Sequence, residues 1–136
     1  MTLLLYMAVS IDGIAALDKN RGIREYSSDE DHDFFISESK KCDAVIMGKN
    51  TSFCRISGVT NIILTHNAPL ESEKGRTDLI DENRVYLSGS ADEIYKKIQA
   101  MGIRRAALLG GPATNAQFLR AGLVDEIFLT VEPVTI

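Results

Sequence analysis

Four short stretches carry residue types that could do chemistry. In the first, Gly110, Gly111 and Pro112 stand between an apolar run and an amphipathic one, and Ala113, Thr114 and Asn115 follow. Two glycines let backbone approach a ligand closely and take up positive φ. Proline suits the first position of a helix, where its missing N–H costs nothing. The N–H groups of Ala113, Thr114 and Asn115 would then face outward at the positive end of a helix dipole, a seat for a phosphate. The same residues also serve a tight strand–helix turn with nothing bound, and they do not form the GxGxxG fingerprint.

The other three stretches are shorter. In "MGKNT" (47–51) Gly48 ends an apolar run, Lys49 brings a cation, and Asn50 or Thr51 can cap a helix. "LTHN" (64–67) sets the Thr65 hydroxyl, the His66 imidazole and an amide side by side. Were its strand to neighbour 43–48, Lys49, Thr51, Thr65 and His66 could converge on one anion. "SIDGIA" (10–15) offers Ser10, Asp12 and Gly13 in a turn. The Asp12 carboxylate can serve a substrate or bond the N–H groups of its own turn.

Positioning these stretches requires alternating strands and helices. Apolar runs predict strands at 3–9, 43–48, 61–65, 84–88, 106–109 and 126–132. The segment 14–26 reads as a loop. Ser27 and Glu30 form a capping-box pattern for a helix running to about Lys41, with Phe34, Phe35 and Ser39 on its buried face. A helical stretch follows from 49. The clearest helix spans 90–102, with a capping box at Ser90 and Glu93, a stripe of Ile94, Ile98 and Met101, and Gly102 as its stop. Another covers 112–121 and ends at Gly122. This alternation predicts one α/β domain over 1–136, with a mainly parallel sheet covered on both faces. Ligands of such sheets sit at the carboxyl ends of the strands, where all four stretches fall.

Composition narrows the classes. The chain has 136 residues, 45% hydrophobic and 25% charged, as an ordinary single globular domain has. Its net charge of −4 argues against nucleic acid or an anionic membrane as partner. No apolar run is long enough to span a bilayer. Cys42 and Cys54 fit no metal or redox spacing and read as reduced bystanders in a cytosolic protein, and two histidines do not make a multi-histidine metal site.

With these residues in view, the chain resembles the dihydrofolate-reductase-like superfamily, and within it the riboflavin-biosynthesis reductase branch. That branch comprises the C-terminal domain of the bifunctional deaminase-reductase and its stand-alone relatives. "MAVSIDGIAA", "SSDEDHDFF", "CDAVIMGKNTS", "NIILTHNAP" and "ALLGGPATNAQFLRAGLVDEIFLTVEP" occur in the family's order. The resemblance implies a three-layer αβα domain, a homodimer in the cytoplasm, and NADPH as cofactor. It implies that Lys49, Thr51, Thr65 and His66 lie by the adenosine 2′-phosphate, and that Gly48 also binds the cofactor. The pyrophosphate would rest on Gly110, Gly111 and the helix start at Ala113, Thr114 and Asn115. The nicotinamide would lie against Ala8 and the Ser10–Gly13 turn, with the substrate opposite, beside Ser10 and Gly13. Asp12 and Asp31 are the acids available to supply a proton. The reaction implied is hydride transfer to the ribosyl carbon of 5-amino-6-(5-phosphoribosylamino)uracil or its diaminopyrimidine analogue.

Three departures accompany the resemblance. Ile14 stands directly after "DG", where riboflavin reductases carry a base. This favours a reductase of another heterocycle, such as a pterin. The sequence ends at "VEPVTI", without the family's closing hairpin, which favours a nucleotide-binding module without catalysis. The stretch between Thr51 and Val59 is short for the family, pointing to an altered adenine side.

Overall fold

A computed structural model describes residues 1–9, 16–18, 21–22, 34, 36–49, 56, 58–65 and 84–131. Strand β1 (Thr2–Val9) opens the chain, and β2 (Ala16–Asp18) and β3 (Arg21–Gly22) follow. After a helical segment at 36–39 come β4 (Ala44–Gly48), β5 (Thr60–Leu64) and β6 (Arg84–Leu87). Then α1 (Ala91–Ala100), β7 (Arg105–Leu108), α2 (Pro112–Arg120) and β8 (Glu126–Val131) complete the described elements. Six strands form one sheet in the order β6-β5-β4-β7-β1-β8, and every pair is parallel. The expected α/β class with a parallel sheet is the observed one.

The strands read as unbroken apolar runs because both of their faces are covered. Leu3, Leu5, Ala44, Ile46, Ile62, Ala106 and Leu108 face one side, where Ile94 and Ile98 of α1 and Phe118 of α2 pack on them. Leu4, Tyr6, Val45, Met47, Ile63, Ala107 and Leu109 face the other, against Cys42, Ile56 and Val59. Alternate residues of one strand therefore serve two cores.

The helix ends follow their sequence signals. The Ser90 hydroxyl accepts from the Glu93 N–H, and the Glu93 carboxylate accepts from the Ser90 N–H, closing the predicted capping box. Those bonds hold the Glu93 carboxyl below its usual range. Gly102 and Gly122 take positive φ just past the two helices.

Four local readings are corrected. The stretch read as loop at 14–26 contains the antiparallel pair β2–β3, whose two- and three-residue strands are too short to show a period. Phe34 is 45% exposed and meets the edge of the Tyr6 ring, whereas Ser39 is fully buried as expected. Met101 is 44% exposed: it is the C-cap of α1, where the chain turns away and the apolar stripe ends. The last apolar run, β8, lies at the sheet edge, and Ile127, Leu129 and Val131 each keep more than half their surface exposed.

Asn61 is a buried polar side chain with protein partners for both its oxygen and its nitrogen. It accepts from the Ile56 N–H at 2.9 Å and donates to the Ile56 and Val59 carbonyls at 2.8 and 3.0 Å. It ties the approach to β5 onto the strand itself. Asn61→Ala leaves those backbone groups unpaired in a dry core, and the expected cost is about 2–3 kcal/mol. Urea unfolding at constant m-value reads it.

Candidate functional site

The carboxyl ends of β4, β5 and β7 come together at one edge. β5 neighbours β4 in register, with Gly48 opposite Leu64, so Lys49 and Thr65 leave adjacent strands side by side. This adjacency is what convergence on one anion requires. Lys49 is exposed and Thr65 is partly buried. β7 flanks β4 on the other side, and the Leu109 N–H donates to the Ile46 carbonyl at 2.8 Å.

Past that bond the two chains stay locked together. The Gly48 N–H donates to the Gly110 carbonyl at 2.7 Å. Gly110 adopts φ of +111°, a region open to glycine and strained for other residues, and the Gly110–Gly111 peptide is cis. A Cβ on Gly48 would stand 2.7 Å from the Thr114 Oγ1, closer than side-chain atoms pack, and within 3.8 Å of Gly110 and Gly111. Three glycines and a threonine thus form a cradle lined by backbone, with Gly48 and Gly110 buried and Gly111 and Thr114 partly buried.

Helix α2 opens at this cradle. Gly111 is its N-cap and offers no side chain to the first-turn amides, and Pro112 occupies the first turn as predicted. Among the described residues, no backbone carbonyl accepts from the N–H of Ala113 or Thr114. Asn115 differs from expectation. Its N–H donates to the Gly111 carbonyl at 2.9 Å, because it is the first amide far enough along the helix to reach an acceptor one turn back. Its side chain is instead buried to 3% exposure, and its Oδ1 has no hydrogen-bond partner. An orphaned buried acceptor beneath a glycine cradle is uncommon in a native interior and points to a group yet to be added.

Ala8 lies in β1 opposite Thr130, one residue before the strand ends at Val9. Ser10, Asp12, Gly13, Asp31, Thr51 and His66 lie outside the described residues, as do Asn50 and Cys54. The cradle therefore brings together Gly48, Gly110, Gly111, Ala113 and Thr114, with Asn115 beneath and Lys49 and Thr65 beside it. Two contributions were not foreseen from sequence: the packing of the Thr114 hydroxyl on Gly48, and the buried Asn115 amide. An asparagine facing inward beside Phe118 in a short helix is the pattern that marks the second.

Away from this edge, Tyr6 stacks on Phe128, with centroids 4.8 Å apart and planes 9° from parallel. Burial lifts the Tyr6 phenol above its ordinary range, aided by Cys42 and Glu38 and opposed by Arg105. Burial also pushes the Cys42 thiol up, against a hydrogen bond from Arg105. Burial thus disfavours the Cys42 thiolate, and Cys42 is not in a disulfide. Among the described residues, no group of three or more His, Cys, Asp or Glu could hold a metal ion. Among them too, no helix is long and apolar enough to cross a membrane.

Comparison with known proteins supplies the family. The chain is similar in structure to a pyrimidine reductase-like protein from Corynebacterium diphtheriae, with a TM-score of 0.73 and 17% identity over 99% of this chain and 75% of that one. It is similar to RibD from Acinetobacter baumannii, with a TM-score of 0.72 and 19% identity over 99% of this chain and 47% of that one. A diaminohydroxyphosphoribosylaminopyrimidine deaminase / 5-amino-6-(5-phosphoribosylamino)uracil reductase from Thermotoga maritima gives a TM-score of 0.74 and 16% identity, over 98% of this chain and 45% of that one. The chain thus spans less than half of the latter two proteins. At these identities the likeness shows the fold. No curated protein matches the sequence. The family model of the RibD C-terminal domain matches residues 56–136, which include β5, β6, α1, β7, Gly110 and Gly111 of the cradle, α2 and β8. This chain belongs to the RibD C-terminal domain family, as its motifs implied.

Proposed function

We propose that the protein is an NADPH-dependent reductase of riboflavin biosynthesis, acting in the cytoplasm as a homodimer. Its substrate would be the ribosyl group of 5-amino-6-(5-phosphoribosylamino)uracil or the diaminopyrimidine analogue. The observation that carries this reading is the cradle of Gly48, Gly110, Gly111 and Thr114 at the start of α2. Gly48 leaves no room there for a side chain, the helix presents two uncommitted amides, and a buried Asn115 acceptor lies below without a partner. These features fit a diphosphate.

In this reading Gly110, Gly111 and the amides of Ala113 and Thr114 hold the pyrophosphate. Lys49, Thr51, Thr65 and His66 surround the 2′-phosphate, Gly48 adjoins the cofactor in the cradle, and Asn115 braces the loop from beneath. Bound NADPH supplies a hydride. The chain's share is to place the acceptor carbon and exclude water, a role for Ala8 near the end of β1 and for Ser10 and Gly13 of the sequence that follows it. Asp12 or Asp31 holds the proton for the opening sugar.

Ile14 favours a second reading, in which the reduced heterocycle is a pterin. Following NADPH oxidation with the phosphoribosylaminopyrimidine and with dihydrofolate separates the two. Turnover of the first alone supports the proposal, turnover of dihydrofolate alone supports the alternative, and turnover of neither by protein that binds NADPH contradicts both.

Lys49→Ala tests the 2′-phosphate seat. Removing one charge-assisted partner is expected to weaken NADPH roughly 10- to 100-fold while leaving NADH within about twofold. Equal losses for both would remove Lys49 from that seat.

A further inference from the structure

A groove of about 480 Å³ opens between the start of α1 and the later half of α2, outside the cradle. Its size falls within the roughly 300–1,000 Å³ of small-molecule sites. Gly89, Ala91 and Ala121 keep its walls low, and Asp92, Gln117 and Arg120 supply its longer polar side chains. The capping box of Ser90 and Glu93 closes the first turn of α1, so the chemistry of the groove lies in these side chains and not in a bare helix end. Among the described residues, the side chains of Asp92, Gln117 and Arg120 form no hydrogen bond or ion pair. A carboxylate, an amide and a guanidinium around one groove suit a flat ring that carries both donors and acceptors.

The groove continues the candidate site. Thr114, Gln117 and Ala121 follow one another along one side of α2 and its C-cap, at i, i+3 and i+7. Thr114 meets Gly48 in the cradle, and Gln117 lines the groove one helical turn, about 5.4 Å, further on. On the opposite side the Thr65 N–H donates to the Leu87 carbonyl at 3.0 Å, and the chain reaches Gly89 two residues after Leu87. The groove therefore begins where the cradle, Lys49 and Thr65 leave off, on the path of a dinucleotide whose diphosphate rests in the cradle. We propose that Asp92 and Arg120 select the base of that dinucleotide, Arg120 by laying its guanidinium on the ring and Asp92 by accepting from an exocyclic amine. This inference rests on the dinucleotide reading of the cradle and adds to it the side chains that read the base. A guanidinium plane stacks on aromatic faces. A carboxylate accepts from an amine on a base edge and is left facing another acceptor when a carbonyl stands there. The ring chosen is thus a 6-aminopurine over a 6-oxopurine.

Fluorescence titration of the full chain with NADPH and with its hypoxanthine analogue, in which a carbonyl replaces the amine, tests this. Wild type is expected to bind NADPH at least about tenfold more tightly, the scale of one hydrogen bond to a charged group. The amide of Asp92→Asn can turn to donate or to accept, so its preference should fall to within about twofold. Arg120→Ala is expected to weaken NADPH, NADH and the hypoxanthine analogue alike, by about five- to tenfold, with the preference for the amine intact. Both side chains are exposed, so the circular dichroism melts of these variants should match wild type. Equal wild-type affinity for the two bases, a preference that survives Asp92→Asn, or an Arg120→Ala loss confined to NADPH, which would put Arg120 on the 2′-phosphate, would each overturn the assignment and leave the cradle reading standing. Folded protein that binds no dinucleotide would overturn both.

Discussion

Gly48→Val is expected to weaken NADPH binding by at least about a hundredfold. The first added carbon stands 2.7 Å from the Thr114 Oγ1, so Thr114 must turn away or α2 must shift. The branching methyl groups meet the loop whose Gly110 carbonyl accepts from the Gly48 N–H at 2.7 Å. Either response displaces the amides of Ala113 and Thr114 relative to Lys49, and a shift of about 1 Å in a binding geometry costs on the order of a hundredfold. Overpacking at a site this close should also cost about 1–3 kcal/mol of stability. Fluorescence titration of the folded variant reads the first effect and thermal unfolding the second. A stable variant that binds NADPH normally would return the glycine cradle to being a turn.

Phe118→Ala is the substitution expected to cost most in stability, about 3–5 kcal/mol. Phe118 is wholly buried on α2 and packs into the core formed by Leu3, Leu5, Ile46, Leu108 and Ile98. Its carbonyl accepts from the Leu123 N–H, which fixes the turn out of the helix. At a few degrees per kcal/mol for a domain of this size, the melting temperature should fall by more than about 10 °C. Leu119→Ala, one residue on and 42% exposed, should stay within about 0.5 kcal/mol of wild type. Matching losses would mean that α2 does not bury the face described. Because Asn115 shares that face, one turn toward the cradle, Phe118→Ala should also loosen the proposed phosphate seat.

The contrast between these two residues shows what sequence could carry. Strands such as 44–48 and 60–64 were legible because a fully buried parallel strand is a bare apolar run bounded by turn residues. The ends of α1 were legible because Ser90, Glu93 and Gly102 each satisfy a backbone need that does not depend on the rest of the chain. Gly48, Gly110 and Gly111 could be picked out one by one, but their joining was not local. The bond from Gly48 to Gly110 spans more than sixty residues and exists only because β7 inserts beside β4. The burial of Phe118 and the exposure of β8 share that cause. Strand order decides which apolar residues find cover, and no periodicity within a strand reports its place in the sheet. Asn115 was read through its amide because first-turn N–H groups are usually free, whereas the fourth residue already reaches a carbonyl.

The central claim is that the cradle between β4 and β7 seats the diphosphate of NADPH. Titrating the folded protein side by side with NADPH and NADH, by the quenching of its tyrosine fluorescence or by the nicotinamide's own emission, tests it most directly. Saturable binding with a clear preference for NADPH is the predicted result. Well-folded protein that binds neither dinucleotide would contradict the account.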